Sequence, residues 1–182
     1  MLLGFGSDWA SAFTTAYSRR WGDRGGGAIT FVLRMITGIP LWFLGLVLAL
    51  AAPASMLAVP GLAFEIPAWV LIVGGCLPML FGLLALRFSA GLPSNRDALV
   101  VHGIYARIRH PIYFGMLLEF LGLALLNPKP TALLASALGL VWVYGQARLE
   151  ELDLVQRIPA YREYMRRVPC FLPRLWKRQP RG

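Results

Sequence analysis

Two stretches of the chain gather side chains able to do chemistry. The first runs Gly103-Ile104-Tyr105-Ala106-Arg107-Ile108-Arg109-His110-Pro111-Ile112-Tyr113-Phe114-Gly115. The second is Arg148-Leu149-Glu150-Glu151, with Tyr161, Tyr164, Pro169, Phe171 and Pro173 beyond it. Such a set suits recognition of a small charged molecule. A guanidinium clamps a carboxylate through paired hydrogen bonds, a carboxylate accepts from ammonium or hydroxyl groups, and a tyrosine face attracts a cation. Glu119 stands apart, inside an apolar run, where an ionisable group is costly and therefore a functional candidate. Each residue also has an ordinary reading. Pro111 is a common helix starter; His110, Tyr161 and Tyr164 suit a membrane interface; Arg107 and Arg109 suit topology determinants. Glu150 and Glu151 suit solvated helix charges paired with Arg148 or Arg157, and Glu119 suits pairing with a polar group on a neighbouring helix.

The elements that must position these groups are apolar helices. Of the 182 residues, 57% are hydrophobic and 15% charged, where a soluble domain has roughly 45–50% and about 25%. That excess exceeds what one small core can bury, and lipid accommodates it. The net charge of +9 sits in gaps between apolar runs, following the positive-inside rule. A nucleic-acid binder would spread it over a soluble surface, so nucleic acid is not an expected partner. The expected fold is all-α: a polytopic integral membrane bundle of about four transmembrane helices, with an N-terminal interfacial helix and a cytoplasmic C-terminal segment.

Three parts follow along the chain. In residues 1–27, Leu2, Leu3, Phe5, Trp9, Phe13 and Tyr17 form one apolar face closed by Arg19, Arg20 and Arg24. That pattern suits a helix lying on the membrane surface, with a disordered leader as the alternative; Gly25-Gly26-Gly27 reads as a linker. No cleaved signal peptide is expected, because no basic segment precedes the first apolar one. Residues 28–88 hold two spans. One lies in the charge-free run 35–64, exits at Pro53 and Pro60, and begins beside Arg34, which can snorkel to the interface. The other covers 66–86, with Gly74, Gly75 and Gly82 permitting close packing. Residues 89–182 hold a polar segment, a hairpin at 111–146 turned by Asn127-Pro128-Lys129-Pro130, and a basic tail. Arg19, Arg20, Arg24, Arg87, Arg96, Arg107, Arg109 and the tail arginines fall on one side, and only Glu65 and Lys129 on the other. Both termini are therefore expected in the cytoplasm.

A hairpin returns its second leg to the side where its first began, so His110 and Glu150 should meet at the cytoplasmic face. The run Gly-x-Tyr-x-x-x-Arg-His-Pro-x-Tyr-x-Gly, followed by an apolar hairpin, Glu-Glu-x-x-Leu and the tail Tyr161-Arg162-Glu163-Tyr164-Met165-Arg166-Arg167-Val168-Pro169, resembles the isoprenylcysteine carboxyl methyltransferase family. Phospholipid N-methyltransferases share a looser version. The resemblance spans residues 97–173 and implies a methyltransferase that takes its methyl from S-adenosyl-L-methionine and passes it to a lipophilic acceptor in the membrane. Carried over by position, it places Leu99, Val100, Tyr105, His110, Pro111, Tyr113 and Glu150 around the donor. Arg109 could clamp the donor carboxylate, and backbone groups at the Gly103 turn could add donors. Acceptor-side candidates are Glu119, Arg148 and Glu151. In the prenylcysteine enzymes an Arg one turn before the donor-binding Glu meets a substrate carboxylate. Here that position is Gln146, so a neutral or amine-bearing lipid is at least as plausible an acceptor, and an amine needs a base such as Glu119, Glu151 or His110.

Other chemistries find less support. No Gly-x-Gly-x-x-Gly follows a strand-like run, and the triple glycine is not followed by Lys-Ser/Thr, so neither a Rossmann domain nor a phosphate loop is expected. Cys76 reads as a buried thiol and Cys170 as incidental, without disulfide or metal-ligand spacing. The competing readings are an NADPH-dependent sterol or enone reductase and a non-catalytic membrane subunit.

Overall fold

A computed structural model describes residues 1–57, 61–86 and 99–173. The elements are α1 (Leu2–Ser11), α2 (Thr14–Phe31), a π-helical segment (Val32–Gly38), α3 (Ile39–Ala51), α4 (Leu62–Leu86), a 3-10 turn (Gly103–Ala106), α5 (Pro111–Leu126), α6 (Pro130–Arg157) and α7 (Tyr161–Arg167). Among the described residues all regular structure is helical. Arg87, Arg96, the arginines beyond 173 and Pro60 lie outside the described residues.

α2 is not one straight rod. Gly22 takes φ +72° and ψ 168°, a conformation that favours glycine, and the chain doubles back there. The hydroxyls of Thr14 and Thr30 consequently stand 3.1 Å apart although sixteen positions separate them. After the reversal, helix runs without a break from Asp23 through the π segment to Ala51. Gly25–Gly27, expected as a linker, are therefore helical; Gly26 packs on Ser18 across the reversal.

Three helical runs are long and apolar enough to cross a membrane by length and composition: Thr14–Ala51, Leu62–Leu86 and Pro130–Arg157. The hairpin's first leg, α5, is apolar but has only 16 residues, below the roughly 20 that a perpendicular span needs. Large apolar side chains such as Phe43, Val47, Phe64, Trp69, Val73, Phe81 and Val141 face outward. So much exposed apolar surface is the mark of a lipid-facing bundle.

α4 and α5 pack antiparallel and closely. Ala68, Gly75 and Gly82, seven apart on one face of α4, meet Gly122, Gly115 and Pro111–Ile112 of α5 in turn. A Cβ on Gly75 would stand 2.6 Å from the Gly115 carbonyl oxygen, so only glycine permits this crossing. Gly74, expected to share that role, faces open space. α6 runs antiparallel to α3: Thr131 bonds the Ala49 carbonyl at 2.8 Å at one end, and Trp142 packs on Trp42 with rings 5.3 Å apart midway. Its second leg is longer than expected, continuing past Gln146 to Arg157.

The N-terminal helix departs from expectation. α1 lies lengthwise along the π segment and α3, with Gly4 against Trp42 and Asp8 against Gly38. Phe5 is 4% exposed and stacks on Trp142 at 5.0 Å. It is thus a member of the bundle rather than a surface helix. The buried face is Gly4, Phe5, Asp8 and Ser11, mostly small and polar. The expected apolar face is split: Phe5 and Trp9 pack inward, whereas Leu2, Leu3 and Phe13 point out.

Candidate active site

The polar residues gather at the end of the bundle opposite the Asn127–Pro130 turn. His110 caps α5, and Glu150 and Glu151 sit near the end of α6. The hairpin brings them together: Tyr113 Oη donates to Glu150 Oε1 at 2.6 Å, and His110 Nε2 lies 3.1 Å from Glu151 Oε1.

Between them lies a cavity of about 300 Å³, within the usual range of ligand pockets. Its wall includes Leu99, Val100, Tyr105, Arg109, His110, Tyr113 and Glu150, all expected around the donor, together with Asp8, Arg34, Asp153 and Arg157. Met35, Ile39, Trp42, Leu83, Ile112 and Met116 supply an apolar side. α7 closes one end. Tyr161 and Tyr164 are buried in the wall rather than anchored at an interface, and Tyr164 Oη donates to the Tyr105 carbonyl at 2.6 Å. The Arg109 and His110 amides donate to the Pro169 and Cys170 carbonyls at 2.9 and 3.1 Å. Burial pushes the phenols of Tyr105 and Tyr161 far above their ordinary range and that of Tyr164 to about 12, so all three stay neutral donors.

Several expected residues occupy other positions. Arg109 touches the cavity, but its Nε and Nη2 hold Glu151 at 2.9 and 2.7 Å, and its Nη1 donates to the Met165 and Val168 carbonyls. Burial opposes its charge, yet the bonds to Glu151 hold its pKa above the ordinary value. Its fork is thus largely committed to joining α6 to α7. Glu151 is buried in that knot, its second oxygen held at 2.9 Å by Arg148, whose own side chain is 55% exposed. Neither Glu151 nor Arg148 lines the cavity. Gly103 makes its turn at φ +60°, and Pro111 packs on Gly82. Glu119 lines a smaller cavity of about 150 Å³, together with Phe43, Leu46, Phe120 and Leu123. Trp42 and Met116 form walls of both cavities. Glu119 accepts from Cys76 Sγ at 3.6 Å, and Cys76 is exposed on the bundle rather than buried.

Residues 90–160 match the family model described as phospholipid methyltransferase. Over that stretch, the chain is similar to this family. Two curated relatives match a similar share. The chain is 40% identical over 83 residues to the cobalt-zinc-cadmium resistance protein CzcN of Cupriavidus metallidurans, covering 44% of this chain and 38% of that protein. It is 35% identical over 79 residues to methanethiol S-methyltransferase 2 of Bradyrhizobium diazoefficiens, covering 42% of this chain and 29% of that protein. The matches thus span well under half the length of either relative. No solved structure matches the chain. The resemblance read from the motifs is borne out.

Part of the cavity wall lies outside the matched stretch. Arg34, expected to snorkel outward, points inward: its guanidinium pairs with Glu150 and approaches Asp8 at 4.0 Å. It is the one charged residue between Arg24 and Glu65, and a lone charge in a spanning run is a recognisable signal. Asp153 accepts from the Thr15 amide at 2.8 Å, holding the start of α2, as a carboxylate does at a helix N-terminus. Cys170 is not incidental: its Sγ stands 3.8 Å from Glu151 Oε1. Ligand atoms of His110, Glu151 and Cys170 lie within 4.8 Å of one another, although the glutamate oxygen they share is already held by Arg109. Burial and Glu151 push the Cys170 thiol up to about 11, so it is protonated at neutral pH. The sequence spacing did not signal this cluster.

Proposed function

We propose that the chain is a membrane-embedded S-adenosyl-L-methionine-dependent methyltransferase acting on a lipophilic acceptor. The observation that carries this reading is one cavity walled by both halves of the family-matched stretch. The segment 99–113 forms one wall and Glu150 the other, with apolar side chains of α3, α4 and α5 between. The donor would contribute an activated methyl group on a sulfonium. Its fit rests on the chemistry of the wall: the Glu150 carboxylate suits ammonium or ribose hydroxyl groups, and the Tyr105 and Tyr113 rings suit an adenine or a cationic sulfur. His110, stacked on Tyr113 at 5.6 Å, stiffens that side. The apolar wall excludes water and holds a greasy acceptor, so positioning of the two reactants supplies much of the rate. The smaller cavity at Glu119 would receive the acceptor's far end. In keeping with the charge pattern, the cavity faces the cytoplasm and the acceptor enters sideways from lipid.

The test is incubation of purified protein with methyl-labelled S-adenosyl-L-methionine and a native lipid extract. A labelled, extractable small molecule or lipid is expected. Binding of NADPH, with no binding of adenosylhomocysteine, would contradict the reading.

A further inference from the structure

A carboxylate outside the family-matched stretch faces the same cavity. Asp8 of α1 is 2% exposed and lines the wall, and its Oδ1 has no hydrogen-bond partner among the described residues. It is wedged against the π segment, where a Cβ on Gly38 would stand 2.8 Å from that oxygen; π turns recur at functional sites. Arg34 Nε is 4.0 Å away, and the other arm of that guanidinium holds Glu150. One buried and one half-buried carboxylate therefore flank one cation. The indole N–H of Trp42, also in the wall, is aimed at the Asp8 carboxyl and weakly stabilises its charge, without completing a well-formed hydrogen bond. A buried acceptor with no donor is destabilising, and a ligand that brings a proton to Asp8 relieves it.

The geometry points to Asp8 as the base that takes the proton from a neutral, proton-bearing acceptor, a thiol or an amine, seated between Arg34 and Trp42. This rests on the methyltransferase reading. The acceptor sulfur or nitrogen forms its bond to the methyl carbon as the methyl–sulfonium bond breaks, leaving that electron pair on the departing thioether sulfur. The acceptor's S–H or N–H proton passes to the Asp8 carboxylate. A carboxylate acceptor fits poorly: it has no proton to give and would bring a third negative charge to a cation already shared by Asp8 and Glu150. Gln146, 1% exposed and donating to Glu150 at 3.2 Å, adds no positive charge there. Burial pushes Asp8 up to about 7 against the pull of Arg34, a value suited to a base at neutral pH. The charged groups that act on it are Arg34 from the π segment and Glu150 from α6; α5 presents the Tyr113 phenol, and α3 the Trp42 indole N–H, which favours the charged carboxylate.

The experiment compares full-length wild type, Asp8→Asn and Asp8→Glu in detergent, with S-adenosyl-L-methionine and either 1-octanethiol, octylamine or octanoate, from pH 5 to 9. Adenosylhomocysteine binding is measured alongside by calorimetry. Wild type should methylate the thiol or the amine in preference to octanoate, and turnover of the thiol should fall below about pH 7. Asp8→Asn should lower kcat about a hundredfold or more with adenosylhomocysteine affinity retained, and Asp8→Glu should recover part of the rate. Wild-type turnover by Asp8→Asn, or a preference for octanoate, overturns the assignment. If Asp8→Asn fails to fold, the wild-type profile decides: no acidic limb near pH 7 overturns it. Failure of wild type to bind adenosylhomocysteine instead removes the methyltransferase reading beneath it.

Discussion

Replacing Arg109 with Met should loosen the closure of the cavity while leaving the spanning helices in place. Arg109 joins its own segment to two others at once: Glu151 on α6, and the carbonyls of Met165 and Val168 at the end of α7. Its side chain is 8% exposed and that of Glu151 3%. Removing one partner of a buried pair costs about 3–5 kcal/mol. Here His110 and Arg148 still attend Glu151, so the lower end of that range applies. Every ~1.4 kcal/mol is a factor of ten, so amides held by the α7 region should exchange about a hundredfold faster. The amides to follow are Arg109, His110 and Val168, which donate to Pro169, Cys170 and Tyr164. The assay is hydrogen exchange with mass spectrometry on detergent-solubilised protein. Amides of α4 and the middle of α5, joined through Gly75 and Gly115, should be unaffected. Arg109→Lys should recover little, because one ammonium cannot reproduce the planar fork. Unchanged exchange across 161–170 in Arg109→Met would refute the claim that this side chain holds the segment down.

Further predictions concern stability, packing and substrate. Asp8 has a folded pKa raised from 3.8 to about 7, so the native state holds a proton that the unfolded state gives up between those values. Stability should therefore fall as pH rises from about 4 to 7 and level off above, by up to about 4 kcal/mol from this group; in thermal scans Asp8→Asn should lose that slope and melt higher than wild type at pH 8. Gly115→Val would drive a side chain into the Gly75 carbonyl region and should abolish a monodisperse peak in size-exclusion chromatography, whereas Gly74→Val, facing open space, should be tolerated. Glu119→Gln should change the range of acceptors methylated while leaving adenosylhomocysteine affinity intact, as read by product profiling and calorimetry.

The matched half of the fold was legible because its signals are local and strong. Apolar length with a Pro-rich turn specifies a hairpin, and a hairpin alone brings Tyr113 to Glu150. The same reasoning did not show how the Arg109 fork is held, because a guanidinium at a pocket looks the same in sequence whether it serves a ligand or the Met165 and Val168 carbonyls. The N-terminal half was less legible. Its reversal at Gly22 rests on one backbone angle, and the buried face of α1 sets a single large apolar residue, Phe5, among Gly4, Asp8 and Ser11. Arg34 did carry a signal, a lone charge in an apolar run, but near a helix start it reads equally as an interfacial residue.

The most direct measurement is a calorimetric titration of adenosylhomocysteine into wild type, Tyr113→Phe, Glu150→Ala and the exposed control Arg162→Ala. Wild type and Arg162→Ala should bind alike. Tyr113→Phe, which loses the 2.6 Å bond to Glu150, should bind about tenfold more weakly, and Glu150→Ala more weakly still. Equal affinity in all four proteins would show that the two arms of the hairpin do not enclose the methyl donor.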